Sequence, residues 1–217
     1  MIVDLSHPLE PGMPSYPGLP EPRFETVWTH AESAARGTYA PGTTFQIAHY
    51  HFGGNTGTYV DAPFHRYPKG PDLRALPLER LVHLPAVVVT ALIEGPIGPD
   101  RFSGRDLNGK AVLVRTDWAD RWGSADYFRS GPYLTADACR SLVEAGVTLV
   151  GIDCANIDNM QDPERPAHTI LLGAGIPIVE HLRALDELPP GGFHFHAAPP
   201  AIAGGTSFTV RAYAVVE

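Results

Sequence analysis

Apolar residues in this chain fall in short blocks separated by Gly, Pro, Asn and Asp, rather than in long helical stripes. Residues 45–52 alternate, with Phe45, Ile47, His49 and His51 on one side and Gln46, Ala48, Tyr50 and Phe52 on the other. That period of two predicts a half-buried strand, and residues 24–28 predict a shorter one. Residues 86–91, 111–115 and 148–152 are continuous runs rich in β-branched residues, the pattern of strands covered on both faces. Thr135 can cap a helix whose stripe is Ala138, Leu142, Val143 and Ala145 and which Gly146 ends. A shorter helix is expected over residues 167–172, stopped by Gly173 and Gly175. Strands are then expected at residues 176–179, around His194 and His196, and over 207–216. The first 23 residues carry proline at positions 8, 11, 14, 17, 20 and 22, which predicts an extended arm lying across the domain or across a neighbouring subunit. Several strands with few helices make residues 1–217 one α/β domain.

Composition narrows the function classes. The net charge is −8, with 16 basic and 24 acidic residues and no basic run, so nucleic acid and anionic membrane are not expected partners. Hydrophobic residues are 44% and charged residues 18%, which suits a packed core and not a disordered chain. With 22 glycines and 22 prolines, a helical bundle is disfavoured. Cys139 and Cys154 cannot form a disulfide framework. Asp4, His7 and Pro8 stand where a signal peptide needs apolar residues, and the longest apolar run, 84–93, is about half a membrane span. A cytoplasmic protein is therefore expected. The ten histidines point to chemistry, since imidazole both ligates metals and moves protons near neutral pH.

The richest segment is Asn55-Thr56-Gly57-Thr58-Tyr59-Val60-Asp61-Ala62-Pro63-Phe64-His65. Asp61 and His65 flank Pro63 at a spacing that can aim both into one cavity. His168 opens the second helix, and Glu180 follows the strand at 176–179. Two carboxylates and a histidine from three elements would make a three-ligand metal site with room for water. Here the chain resembles the metal-dependent cyclase family, which includes the bacterial kynurenine formamidases. Gly57, Thr58, Asp61, Pro63 and His65 match its motif His-x-Gly-Thr-His-x-Asp-x-Pro-x-His. Pro11 to Gly18, Val114 to Trp118, Val150 to Asp153, His168 with Leu171-Leu172, Ile178 to Glu180 and Pro199 to Ala212 are similar to further family segments in the same order.

The resemblance implies a central mixed sheet or partial barrel flanked by a few helices, and a homodimer or homotetramer with the proline arm at a subunit interface. It implies Asp61, His168 and Glu180 as metal ligands and His65 as catalytic acid/base. Asn55 and Tyr59 occupy the positions of two ligand histidines of the motif, and Asn156 that of a serine. A neutral amide oxygen and a phenol with a pKa near ~10 are poor replacements. The expected cofactor is therefore at most one divalent metal, zinc or manganese, with partial or no occupancy. Asn55, Tyr59, Trp118, Asn156 and Arg211 are expected to line the pocket. His49 and His51 share a strand face and are the alternative source of ligands. The function implied is hydrolysis of a C–N amide bond in a small, aromatic substrate, of the arylformamidase type that acts on N-formylkynurenine in tryptophan catabolism, or of a related cyclic amide or ester. The alternative is a degenerate, metal-poor homologue that binds a small molecule.

Overall fold

The computed structural model describes residues 1–129 and 131–217. In chain order the elements are β1 (Ile2–Asp4), β2 (Arg23–Trp28), α1 (His30–Ala35), β3 (Ile47–His51), β4 (Tyr59–Asp61), β5 (Leu84–Thr90), β6 (Pro96–Ile97), β7 (Ala111–Arg115) and β8 (Tyr133–Leu134). They continue with α2 (Ala136–Glu144), β9 (Leu149–Ile152), α3 (Pro166–Gly173), β10 (Ile178–Glu180), β11 (Gly191–His196), β12 (Ser207–Thr209) and β13 (Tyr213–Val216).

Nine strands form one mixed sheet in the order β1-β13-β11-β5-β7-β9-β10-β4-β12. Its centre, β5-β7-β9-β10, is parallel, and these are the continuous apolar runs of the sequence. Such strands must be covered on both faces. On one face Val89, Val112, Val114, Val150 and Ile152 pack under α2 and α3; on the other Val88, Leu113, Leu149, Val179, Phe193 and Phe195 fill the inside. Thr135 caps α2 through the Ala138 N–H, as its sequence predicts.

The expected strand at 207–216 is two strands. β12 is one edge of the sheet, whereas β13 pairs with β1 and β11 near the other. Laid flat, these would be roughly 30 Å apart, while residues 210–212 reach only about 14 Å. The sheet must therefore curl until its ends meet. Leu5 N–H donates to the Ala212 carbonyl, Ser6 Oγ to the carbonyls of Val210 and Ala212, and Ser6 bridges Leu182, sealing the half-barrel.

The proline arm is extended only in part. Its first residues are β1, and the rest turns back so that Tyr16 and Leu19 reach the site described below. β2 and β3 make a separate hairpin, bridged by α1, which a Thr29–Glu32 capping box starts. Among the described residues no helix is long and apolar enough to cross a membrane.

Candidate active site

Two strand registers build the site. β4 lies between β10 and β12, with Tyr59 opposite Glu180 and Asp61 opposite Ser207. Directly opposed residues bring their Cβ atoms within about 5.5 Å, so both pairs are in contact range without any further folding. Tyr59 and Asp61 are two apart and share a face, while Val60 between them enters the inner core. The loop before β4 is pressed onto β12: a Cβ at Gly54 would stand 2.2 Å from the Ser207 carbonyl oxygen. Gly57 adopts φ +64° where a Cβ would meet Leu9 at 2.7 Å. Only glycine fits both positions.

His168 arrives from the first turn of α3. Asp158 fixes that turn, accepting from the Ala167 N–H at 2.6 Å and the His168 N–H at 3.1 Å. The same carboxylate bonds His168 Nδ1 at 2.6 Å, so Nε2 faces Asp61 Oδ2 at 3.5 Å and Glu180 Oε1 at 4.0 Å. A carboxylate behind a histidine is the usual support for an imidazole ligand. Asp61, buried completely, receives the Ser207 hydroxyl on Oδ1 and the Asn55 Nδ2 at 3.5 Å, while Oδ2 has no hydrogen-bond partner. Ser207 Oγ also lies 3.1 Å from His65 Nδ1. His65 sits at the mouth, with a third of its side chain exposed. Glu180 is buried and accepts from Tyr59 Oη on one oxygen and from the Ile157 N–H at 2.6 Å on the other, which leaves each oxygen a further lone pair.

Burial and charge act together here. Burial alone would keep His168 neutral, but Asp158 and Asp61 outweigh it and push its pKa up to about 10. Burial, reinforced by Asp61, raises Glu180 to about 7 even though His168, Tyr59 and the Ile157 amide favour its charge. Asp61 stays low despite burial because His168, His65 and Ser207 surround it. Burial and the charges of Glu180 and Asp61 hold Tyr59 well above a normal phenol, and its hydroxyl donates to Glu180.

The cavity above these groups has a volume of about 190 Å³ and is lined by Tyr16, Leu19, Asn55, Tyr59, His65, Asn156, Arg165, His168 and Glu180. Asp61, His65, His168 and Glu180, distant in sequence, thus converge, with Asn55, Tyr59 and Asn156 beside them. Two expected pocket residues do not. Trp118 is buried in the core: Asp117, at φ 60°, turns the chain inward, and the indole Nε1 donates to the Tyr127 carbonyl at 2.9 Å. Arg211 is exposed and pairs with Asp4 at 2.7 Å, because alternation in the link sends Val210 and Ala212 inward and Arg211 out. His49 and His51 stand exposed on β3, with His51 near Glu25, and neither lines the cavity.

The donor set could hold a metal ion. Oδ2 of Asp61 and the braced Nε2 of His168 face each other at 3.5 Å. Among the described residues the compact group of ligand atoms, all within 4.8 Å of one another, is Asp61, His65 and His168, with Glu180 standing slightly off. A cation and the His168 proton compete for the same lone pair. The sequence left Tyr16, Leu19, Asp158, Arg165 and Ser207 unassigned. Of these only Asp158, an Asx residue ahead of Pro166 and His168, carried a usable signal.

The curled mixed sheet thus carries a carboxylate–imidazole cluster at one end, with a small cavity above it. The chain belongs to the Cyclase family, whose profile matches residues 3–159. It is 31% identical to a kynurenine formamidase of Salinibacter ruber over 97% of this chain and 95% of that protein. Its structure is similar to isatin hydrolase A from Labrenzia aggregata, with a TM-score of 0.86 and 30% identity over 100% of this chain and 93% of that one. A structure described as a potential metal-dependent hydrolase with cyclase activity has a TM-score of 0.80 at 26% identity, over 99% and 96% of the two chains.

Proposed function

We propose that this protein hydrolyses the C–N bond of a small aryl amide, an aryl formamide or a cyclic aryl amide, at the Asp61–His168 cluster. The observation that carries this reading is the buried, unpartnered Asp61 Oδ2 facing a histidine that Asp158 braces from behind. The protonated imidazole of His168 faces that oxygen at 3.5 Å, and a metal cation would take the place of the Nε2 proton between them. Asp61, His168 and Glu180 would hold one zinc or manganese ion, which, when bound, polarises the substrate carbonyl and acidifies a water.

The remaining work falls to the chain. Ser207 donates its hydroxyl proton to Asp61, so its oxygen accepts from His65 Nδ1–H. That choice of tautomer leaves His65 Nε2 with a lone pair, on a residue that lines the cavity. Nε2 takes a proton from the water that adds to the carbonyl carbon. It returns the proton to the amine nitrogen as the C–N bond breaks, giving a carboxylate and a free amine. Tyr16 and Leu19 close the apolar side of the cavity over the reacting group.

Loss of ligand character at Asn55 and Tyr59 leaves no second ion in this account. The Tyr59–Glu180 hydrogen bond supports the second reading, a metal-poor homologue that binds its ligand without turnover. A homo-oligomer is supported by the β2–β3 hairpin, which exposes Val27, Ile47 and Tyr50 and is marginal as an isolated unit.

The test is hydrolysis of formanilide, followed as aniline release. Turnover by the wild type that a chelator abolishes and zinc or manganese restores supports the hydrolase. Metal-independent turnover, or equal turnover by Asp61→Asn, overturns it.

A further inference from the structure

Arg165 is the one permanently charged cation among the described residues that line the active cavity, and its setting is unusual. It adopts φ 50° and ψ 59°, immediately before Pro166. A branched or long side chain in the left-handed region costs roughly 1 kcal/mol, and glycine or asparagine would fit with less strain. The backbone is nonetheless locked: the Arg165 carbonyl accepts from the Thr169 N–H at 3.0 Å and from Thr169 Oγ1 at 2.8 Å.

The side chain is aimed but not consumed. One Nη2 hydrogen goes to Asn156 Oδ1 at 2.8 Å. Asp158, the nearest carboxylate, is 3.7 Å from Nε, too far for a hydrogen bond, and its oxygens already accept from Ala167 and His168. Guanidinium carries five N–H donors, so most of its fork remains unused at the cavity wall. That fork matches a carboxylate in a two-point contact better than any other side chain. Asn156 steers the guanidinium by a neutral acceptor, and the buried Asp158, which His168 already shares, balances only part of its charge from 3.7 Å. Tyr16 and Leu19 line the same cavity as Asn55, Asn156 and Arg165. A volume of about 190 Å³ takes a single ring with a small substituent, since ~150 Å³ is enough for benzene.

We propose that Arg165 forms an anion subsite, and that the substrate is a one-ring or similarly small amide carrying a carboxylate beside the scissile group. This deepens the hydrolase reading and rests on it for the scissile bond, but the subsite itself is a binding claim. Arg165 then sets substrate preference mainly through ground-state binding. A role in stabilising the oxyanion of the addition step would instead act on charged and neutral substrates alike.

The two are separated by a matched pair of probes, N-formylanthranilate, which carries a ring carboxylate, and formanilide, which lacks it. Wild-type metal-loaded protein, Arg165→Met and Arg165→Lys are assayed on both, alongside calorimetric binding of 2-aminobenzoate and aniline. The wild type is expected to favour N-formylanthranilate. Arg165→Met should cut that preference, the ratio of the two kcat/KM values, by about tenfold to a hundredfold, chiefly through KM. Arg165→Lys, which keeps the charge but not the fork, should recover part of it. 2-Aminobenzoate should bind the wild type more tightly than aniline, and lose that advantage in Arg165→Met. Binding that follows this pattern without hydrolysis of either formamide keeps the subsite and removes the hydrolase. Hydrolysis with no preference for the carboxylate, or with equal losses on both probes in Arg165→Met, removes the subsite and keeps the hydrolase. A misfolded Arg165→Met leaves the wild-type 2-aminobenzoate comparison decisive: equal binding of the two amines overturns the proposal.

Discussion

Two histidine clusters on this sheet show how little the residue type alone decides. At the β4 end, the His65 and His168 rings stand 5.6 Å apart over the buried carboxylates of Asp61, Asp158 and Glu180. On the face of β11, His194 stacks on His83 at 4.1 Å and His196 on Tyr213 at 4.5 Å, and the His83 N–H donates to His196 Nδ1. No carboxylate among the described residues pairs with that second trio. The electrostatics accordingly run in opposite directions. Carboxylates push His168 up to about 10 against its burial, whereas burial and then the neighbouring His83 and His194 push His196 down. The first cluster concentrates negative potential around lone pairs and can hold a cation. The second is a polar sheet face whose imidazoles stack on one another and on Tyr213.

The largest effect expected from breaking this contrast is at Asp61. Asp61→Asn removes the charge that faces His168, and hydrolysis of an aryl formamide should fall to the uncatalysed background, with bound zinc or manganese lost in elemental analysis. His65→Ala comes next. It should lower kcat by roughly 10²–10⁴-fold while the protein still binds its ion, if His65 is the base as proposed and not a ligand. Metal lost along with activity would place His65 in the coordination shell instead.

A smaller, pH-dependent effect is expected at His7, another histidine without a carboxylate. It stacks on Trp122 at 3.9 Å, and burial, helped by the nearby His181 and Arg183, lowers its pKa to about 3. In the unfolded chain it titrates near ~6.5. Native protein therefore keeps His7 neutral where unfolded protein takes up a proton. Its contribution to stability is complete above pH ~6.5 and is lost as pH falls toward 3. Urea unfolding across that window should show His7→Phe flattening the acid slope by up to about 1.4 kcal/mol per pH unit. The smallest effect belongs to the second cluster: His194→Ala should leave formamide hydrolysis at the wild-type level and move stability by about 0.5 kcal/mol or less.

The parts of this site that were legible in sequence are those fixed locally. Asp61 and His65 sit around one proline and His168 opens a helix with a readable stop, so local signals together with the family resemblance singled them out, and the structure brings them to one cavity. Glu180 followed from a short apolar strand. What sequence did not disclose depends on register and on curling. Ser207 meets Asp61 only because β12 pairs with β4, and the split of 207–216 into β12 and β13 follows from closure of the sheet, which no local pattern records. Tyr16 and Leu19 read as arm residues until the arm folds back. Trp118 and Arg211 were misplaced for the converse reason: a left-handed turn at Asp117 and the alternation across 210–212 point them away from the cavity.

The central claim is that one cation, and no second, belongs among Asp61, His168 and Glu180, with Asn55 and Tyr59 filling the space beside it. Equilibrium dialysis of the wild-type protein against zinc or manganese, with metal counted per chain at saturation, tests it most directly. One ion per chain, abolished in Asp61→Asn, is the predicted result. Two ions per chain, or none at millimolar metal, would contradict it.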